Sequence, residues 1–438
     1  MAGDLRPVEQ SGEARVERAD APALPLPEIP RDAPYCFRGR NILLLQGPVG
    51  PFFGRLAQDL RWAGANVHKI NFNGGDWLYC PRNATNFTRR LDAFPNFLAR
   101  VCEEKRIDMI MLFGDCRRMH RMASDYADEH GIEIQVFEEG YIRPDYITME
   151  RHGVNGRSLM PRSGIFYLNT PAAEPKIPSP VGPTIWYGGV WAVTYYCWSV
   201  LLWPFFPHYR HHRSMNYTEA LRWIWAGARK YWHHWKNRPE AKRLLGEDHP
   251  KFFLVPLQVH NDAQIDVHSQ YDDMEDFLRH VVASFSQNAP DDCSLVIKHH
   301  PMDRPYTDYT RLVRRLRRKY SLGDRLIYVH DLHLPSLIIR SEGVVTINST
   351  TGMSALHHGK PTLATGDAIY RIDGLTATVG LDEFWTRAHE FPVHSELYRK
   401  FRQQLIERTQ INGNFYRRID IPGTLAGIDW TRGSAAPD

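Results

Sequence analysis

Two short strings in the sequence carry the residue types that bind anions. Leu295-Val296-Ile297 runs directly into Lys298-His299-His300-Pro301, and Gly343-Val344-Val345-Thr346-Ile347 runs into Asn348-Ser349-Thr350-Thr351-Gly352. An apolar run that ends in polar residues is the pattern of a buried strand and the loop beyond it. Lys298 and the imidazoles supply charge and donors. The hydroxyls and N–H groups of residues 348–352, ahead of a helix expected over 353–358, form a phosphate cradle. Ligands of open α/β sheets collect at the carboxyl ends of strands. The pattern therefore predicts one nucleotide facing both loops, bound by Lys298, His300, Pro301, Asn348, Ser349, Thr350 and Thr351.

A third string, Glu138-Glu139-Gly140, follows another apolar run and supplies paired carboxylates. Two such groups side by side push one pKa up, which suits one to proton transfer and the other to staying ionised. Attack on a sugar carbon or deprotonation of an acceptor hydroxyl are both open to them. Glu139 and Glu138 are the candidate catalytic carboxylates, and His300 assists departure of the phosphate. Gln46, Asn73, Asp76, Arg143 and Gln258 lie in other strand-end loops and are candidate sugar or acceptor contacts. Each string alone is ordinary: a His-Pro is commonly a turn, a Ser-Thr-Thr run a helix cap, an acidic pair a solvated corner with Arg143 as its partner. Their order, each at a strand end, carries the reading.

The elements that must position these groups repeat as strand, turn and helix. Asn41–Leu45, a helix over 54–63 and Asn66–Ile70 make a βαβ unit, followed by strands at 109–113 and 132–137. Gly47 and Gly50 in the first turn would let backbone approach a ligand, although the G-x-G-x-x-G spacing is absent. A second series begins at Lys251, with strands at 252–257, 295–298, 326–329, 343–347 and 360–364. The fold class is therefore α/β, GT-B-like, with two doubly wound Rossmann-like domains facing a cleft. The expected divisions are a disordered tail at 1–34, an acceptor and catalytic domain at 35–183, an aromatic segment at 184–248, a nucleotide-binding domain at 249–390, and a C-terminal helix and tail at 391–438. That last helix is expected to pack back across the first domain.

The segment Trp186–Phe206 carries no charge and is threaded with Trp and Tyr. Aromatics spread along it, rather than gathered at its ends, suit an interfacial helix better than a span. A cation-flanked aromatic face over 221–235 points the same way. A membrane-associating helical insertion is expected. Over 438 residues the net charge of +4 is too small to argue for nucleic acid. Six scattered cysteines, without C-x-x-C pairs, fit a reducing compartment. The N-terminus lacks an apolar stretch, so no signal peptide is expected. No metal site is expected either, for want of a D-x-D loop or His pairs at i, i+4.

Taken together, the strings at 46–53, 71–77, 137–144, 298–301 and 348–352 resemble those of the KpsS/LipB family of capsule polysaccharide proteins. The resemblance implies a β-Kdo transferase that uses CMP-Kdo as donor and no cofactor. It implies retention of configuration and a lyso-phosphatidylglycerol acceptor at the cytoplasmic face of the inner membrane, where the enzyme is peripheral. Partners implied are the glycolipid, the membrane surface, other capsule assembly proteins and the ABC exporter. Related Kdo transferases have Glu-Asp-Gly where this chain has Glu138-Glu139-Gly140. Two rival readings are a non-catalytic export or assembly component and another CMP-sugar (sialyl-type) transferase or nucleotide-sugar epimerase.

Overall fold

The computed structural model describes residues 37–171, 174, 177–209, 229, 232–260, 265 and 269–430. The tail at 1–34 and most of the amphipathic helix expected over 221–235 lie outside the described residues.

Two sheets organise the chain. The first contains β1 (Asn41–Leu44), β2 (Asn66–Asn71), β3 (Ala84–Asn86), β4 (Met109–Phe113), β5 (Glu133–Glu139) and β6 (Tyr146–Arg151). The second contains β7 (Phe252–Pro256), β8 (Ser294–Lys298), β9 (Leu326–Val329), β10 (Gly343–Thr346) and β11 (Thr362–Ala364). Residues beyond 391 do more than form a helix and tail. After the Ser395–Thr409 helix they add β12 (Gln410–Gly413) and β13 (Ile428–Asp429) to the first sheet, antiparallel beside β6.

The first sheet runs β13-β12-β6-β5-β4-β1-β2-β3 and the second β11-β10-β7-β8-β9. Counted within each domain, both contain the parallel order 3-2-1-4-5 of nucleotide-binding folds. The fully parallel portions read as continuous apolar strings, such as Ile42-Leu43-Leu44 and Leu295-Val296-Ile297, because both faces are covered by helices. The strand order reverses between β1 and β4 and again between β7 and β10. Those two switch points are where doubly wound sheets open a crevice.

One apolar cluster joins the domains. Tyr141, Met160 and Tyr167 from the first share it with Met353, Leu356, Tyr370 and Ile372 from the second, and with Leu397, Phe401 and Leu405 of the Ser395–Thr409 helix. That helix also packs on the short Gly164–Asn169 helix, where Lys400 donates to the Leu168 carbonyl at 2.6 Å.

The aromatic segment forms a helix, Ile185–Leu201, and a short 3₁₀ turn, Trp203–Phe205. It seats against the Gly74–Tyr79 helix of the first domain. A Cβ on Gly74 would lie 2.2 Å from the Trp198 carbonyl oxygen, and one on Gly75 2.6 Å from the Tyr195 ring. A Cβ on Gly47 would strike Phe53, and one on Gly50 would strike Trp191 at 2.9 Å. The glycines read from sequence as ligand-approach positions are thus close-packing positions. Gly75→Val is expected to wedge the two helices apart at a cost of about 1–3 kcal/mol, as overpacking does. A lowered thermal midpoint with altered Trp fluorescence would report it; an unchanged midpoint would mean the helices are not in register here.

Candidate functional site

The carboxyl ends of β7, β8 and β10 bring the predicted nucleotide-binding residues to one edge. β7 lies between β8 and β10, with Pro256 level with Lys298 and Leu254 level with Val344. The His300 and Ser349 corners are therefore two strand spacings apart, roughly 10 Å. Gln258, beyond the end of β7, closes the gap: its amide donates to Asn348 Oδ1 at 2.9 Å and its carbonyl accepts the Asn348 N–H at 3.2 Å. That pair spans the second switch point.

Lys298 is the last residue of β8 and is only 6% exposed. Burial, with Arg304 nearby and Asp331 only partly offsetting them, pushes its ammonium down to about 8. Arg304 itself is held by Asp331 at 2.8 Å. His299, one residue on, is not the available cation its type suggested. It is buried, its Nδ1 lies 2.8 Å from the Tyr328 hydroxyl, and desolvation pushes it down to about 3. His300 is more exposed and begins the Pro301–Asp303 turn, where its Nδ1 accepts the Met302 N–H at 3.2 Å. A neutral His300 therefore carries its proton on Nε2, the form that donates.

At the other corner, Ser349 Oγ accepts the Thr351 N–H at 3.2 Å, and the Thr351–His357 helix starts immediately afterwards. Thr350 stands at its N-cap position without a side-chain cap bond. Tyr370 donates to the Ser349 carbonyl at 2.6 Å, and a Cβ on Gly352 would lie 2.2 Å from the Tyr370 hydroxyl. The hydroxyl loop is therefore fixed from below by a buried tyrosine.

In the first domain Glu138 and Glu139 are the last two residues of β5, paired with Thr148 and Ile147 of β6. Successive strand residues leave on opposite faces. Phe137, which shares Glu139's parity, packs in the cluster of Phe52 and Phe415, whereas Val136, which shares that of Glu138, packs in the cluster of Leu112 and Val154. The two carboxylates thus point apart, and the same-face pair inferred from adjacency is corrected. Glu139 Oε1 accepts from the Tyr416 hydroxyl at 2.9 Å. Glu138 Oε1 accepts the Glu139 N–H at 3.0 Å. Arg143 donates through Nε to the Gly140 carbonyl at 3.1 Å, bracing the turn.

Gln46, Asn73 and Asp76 are buried, and the strand-end loop expected to carry Asn73 and Asp76 is instead the capped start of the Gly74–Tyr79 helix. Asn73 and Asp76 both hydrogen-bond the Tyr195 hydroxyl, at 2.8 and 3.0 Å. Gln46 donates to the Tyr195 and Tyr209 hydroxyls at 3.2 and 2.8 Å and accepts from Arg117 at 2.9 Å. These partners tie the aromatic helix to the first switch point.

Sequence reasoning missed Tyr416, which lies past the expected last helix and reaches Glu139 only because β12 returns the chain. It also missed Glu150. This buried carboxyl of β6 accepts from Tyr141 at 2.8 Å and from Ser158, and burial raises it to about 7. Its place in an apolar-aromatic strand of mixed polarity gave no periodic signal.

Residues 108–416 match the family model described as capsule polysaccharide biosynthesis protein. The chain is 41% identical over 391 residues to the capsule polysaccharide export protein KpsS of Escherichia coli, covering 86% of this chain and 97% of that protein. It is 41% identical over 396 residues to the capsule polysaccharide modification protein LipB of Neisseria meningitidis serogroup A, covering 87% of this chain and 93% of that one. The chain belongs to the capsule polysaccharide biosynthesis protein family. Among solved structures, the β-Kdo 2,7 transferase of Thermosulfurimonas dismutans KpsC is similar at 14% identity and a TM-score of 0.42, over 88% of this chain and 94% of that one. That score is too low to bear on chemistry.

For this family member the buried Lys298 gives a measurable proton linkage. Its folded pKa lies below the ordinary lysine value, so it weakens the fold fully below pH 8 and progressively less as pH rises toward 10.5. Lys298→Met removes a burial penalty of roughly 3 kcal/mol and is expected to raise the thermal midpoint at pH 7 while losing affinity for a phosphate anion. A phosphate beside Lys298 pulls its pKa back up, so binding at pH 8 takes up roughly half a proton. Calorimetry in buffers of different ionisation enthalpy reads this directly; buffer-independent heats would remove Lys298 from the site.

Proposed function

We propose that this capsule biosynthesis protein is a retaining glycosyltransferase that moves Kdo from CMP-Kdo to a lyso-phosphatidylglycerol or related glycolipid acceptor, starting a poly-Kdo linker. The observation that carries the reading is the second switch point. There Gln258 and Asn348 bridge β7 and β10, with Lys298 and His300 on one side and the Ser349–Thr351 hydroxyls on the other. That is a cation, a donor imidazole and a hydroxyl cradle along one edge of the sheet. Pro301 shapes the turn that holds His300.

In this reading a Glu139 oxygen attacks the anomeric carbon as the bond to the phosphate oxygen breaks and its electron pair moves to the phosphate. Lys298, His300 and the hydroxyl corner stabilise the charge arriving there. The acceptor hydroxyl then displaces Glu139, and two inversions give net retention. Tyr416 holds the carboxylate through its second step, Glu138 supports the turn from the other face, and Arg143 pairs with the sugar's own carboxylate. The protein works without a metal or cofactor.

The membrane surface enters through the aromatic helix. Ile185 and Trp186 are 90% and 79% exposed, and Val193, Leu201, Trp203 and Phe205 are exposed with them. Among the described residues no helix is long and apolar enough to cross a membrane. In this reading the helix lies in the interface of the inner membrane's cytoplasmic leaflet, which its uncharged, exposed aromatic face supports. Trp191, on the inner side of the same helix, donates to the Tyr416 carbonyl at 2.8 Å, and Tyr416 bonds Glu139, so one residue links the aromatic helix to the carboxylate. The names of the relatives, export protein and modification protein, favour as the second reading a non-catalytic assembly component that docks through this helix.

Glu139→Gln is expected to abolish transfer of labelled Kdo from CMP-Kdo to the lipid acceptor while leaving CMP binding intact. Full activity in that variant would remove Glu139 from the chemistry. Inert wild-type protein in the same assay would favour the assembly reading. Separately, Trp186→Glu with Val193→Glu is expected to reduce sedimentation with phosphatidylglycerol vesicles and leave CMP affinity unchanged. Undiminished sedimentation would move the membrane contact elsewhere.

A further inference from the structure

A second imidazole packs against the turn that carries His300. His260 lies just beyond β7, and Asp303, the last residue of the Pro301–Asp303 turn, is fully buried beneath it. Asp303 Oδ1 lies 2.6 Å from His260 Nδ1, and Asp303 Oδ2 accepts the His260 backbone N–H at 2.8 Å. The carboxylate is thus committed to one residue through two bonds. The turn is rigid: the Asp303 N–H donates to the His300 carbonyl at 3.0 Å, and the Asp303 carbonyl accepts from Tyr306 and Thr307 at 2.9 and 3.0 Å. The Tyr306 ring lies 5.6 Å from the imidazole.

This arrangement fixes a tautomer. With Nδ1–H donating to Asp303, the neutral His260 ring has its lone pair on Nε2; when cationic, it has an acid proton there and a carboxylate balancing the charge behind it. A buried carboxylate that orients an imidazole in this way is the arrangement of proton-transfer dyads. His300, on the same turn, has the opposite tautomer, because its Nδ1 accepts from Met302. One imidazole is therefore set to donate a hydrogen bond and the other to exchange a proton. The His260 side chain is 32% exposed, so it is open to a bound molecule. The end of β7 distributes both partners: Gln258 goes to the hydroxyl corner and His260, two residues on, to the His-Pro turn.

We propose that His260, oriented by Asp303, is the acid–base residue of the transfer, with His300 confined to holding the phosphate. The assignment rests on the transferase reading above. In the first half-reaction the His260 imidazolium gives its Nε2 proton to the phosphate oxygen as the sugar–oxygen bond breaks and its electron pair moves to that oxygen. In the second half the neutral ring takes the proton of the acceptor hydroxyl as the new sugar–oxygen bond forms and the Glu139 ester bond breaks. One proton passes overall from acceptor to nucleotide, and the residue ends in its starting form. Asp303 is a positioning residue.

The test uses the full-length protein, CMP-Kdo and a lipid acceptor, with CMP affinity measured in parallel by calorimetry. His260→Gln is expected to lower kcat by about 10²–10⁴-fold, the usual contribution of proton transfer, with donor KM and CMP affinity retained. Asp303→Asn is expected to lower kcat similarly, by releasing the tautomer. The double variant is expected to be no slower than His260→Gln, because the two act as one unit. Should Asp303→Asn fail to fold, His260→Gln decides alone, since it leaves the carboxylate in place. Wild-type kcat in His260→Gln overturns the assignment, as do losses that multiply in the double variant and a loss seen only in KM or CMP affinity. Wild-type protein that binds CMP but transfers nothing overturns the transferase reading itself, and this assignment with it.

Discussion

A parallel sheet buried on both faces has room for polar side chains only where its strands stop. That constraint organises this protein. Each domain covers its sheet with helices, so Lys298, His300, Asn348, Glu139 and Gln46 all stand at or just past carboxyl strand ends. The 3-2-1-4-5 order then decides which ends are neighbours. Because β7 lies between β8 and β10, loops far apart in sequence become adjacent, and the Gln258–Asn348 pair bridges the reversal. The interdomain cluster brings Tyr141, two residues beyond Glu139, together with Met353, the third residue of the helix that follows the hydroxyl loop.

The aromatic helix follows a different rule. Its inner face is held by polar bonds to buried groups and by glycines that admit its backbone; its outer face is left apolar and exposed. Tyr195 is the hinge of this arrangement, its hydroxyl shared among Gln46, Asn73 and Asp76 while its ring fills the space above Gly75. Three residues that sequence alone presents as substrate contacts are thus spent on attaching a helix. The physical lesson is that glycines and short polar residues at a strand end suit a ligand and a closely packed helix equally well. Only the approaching partner distinguishes them.

The strands of the two sheets were legible because parallel burial writes uninterrupted apolar strings. β1, β4, β8 and β10 fall where those strings predict. β3 was not legible, its Ala84-Thr85-Asn86 carrying no apolar run, nor were β12, whose pairing with β6 joins residues more than 260 positions apart, as Ile411 with Ile147, and β13 beside it. No local pattern encodes such a pairing, so Tyr416 could not be connected to Glu139. The acidic dipeptide was legible as chemistry but not as geometry: adjacency in sequence becomes opposition in a strand, so Glu138 and Glu139 occupy different environments. His299 was misleading for a related reason, since the parity that presents His300 buries its neighbour against Tyr328 and His330.

Charge at the second switch point shows why such a site tolerates its own cost. Arg304 is answered by Asp331 and Arg229 by Asp308, at 2.8 and 3.1 Å, so those cations are largely spent within the protein. Among the described residues Lys298 has no such close carboxylate, and its depressed pKa records the penalty of holding an ammonium in a dry place beside another cation. A carboxylate within reach would remove that penalty and improve the fold, but it would also fill the place of an anionic ligand. Leaving the charge unanswered leaves its compensation to the phosphate that the proposed function places there. The interaction that weakens the empty protein is then the one that strengthens its complex, and stability is lost at the position where binding gains most.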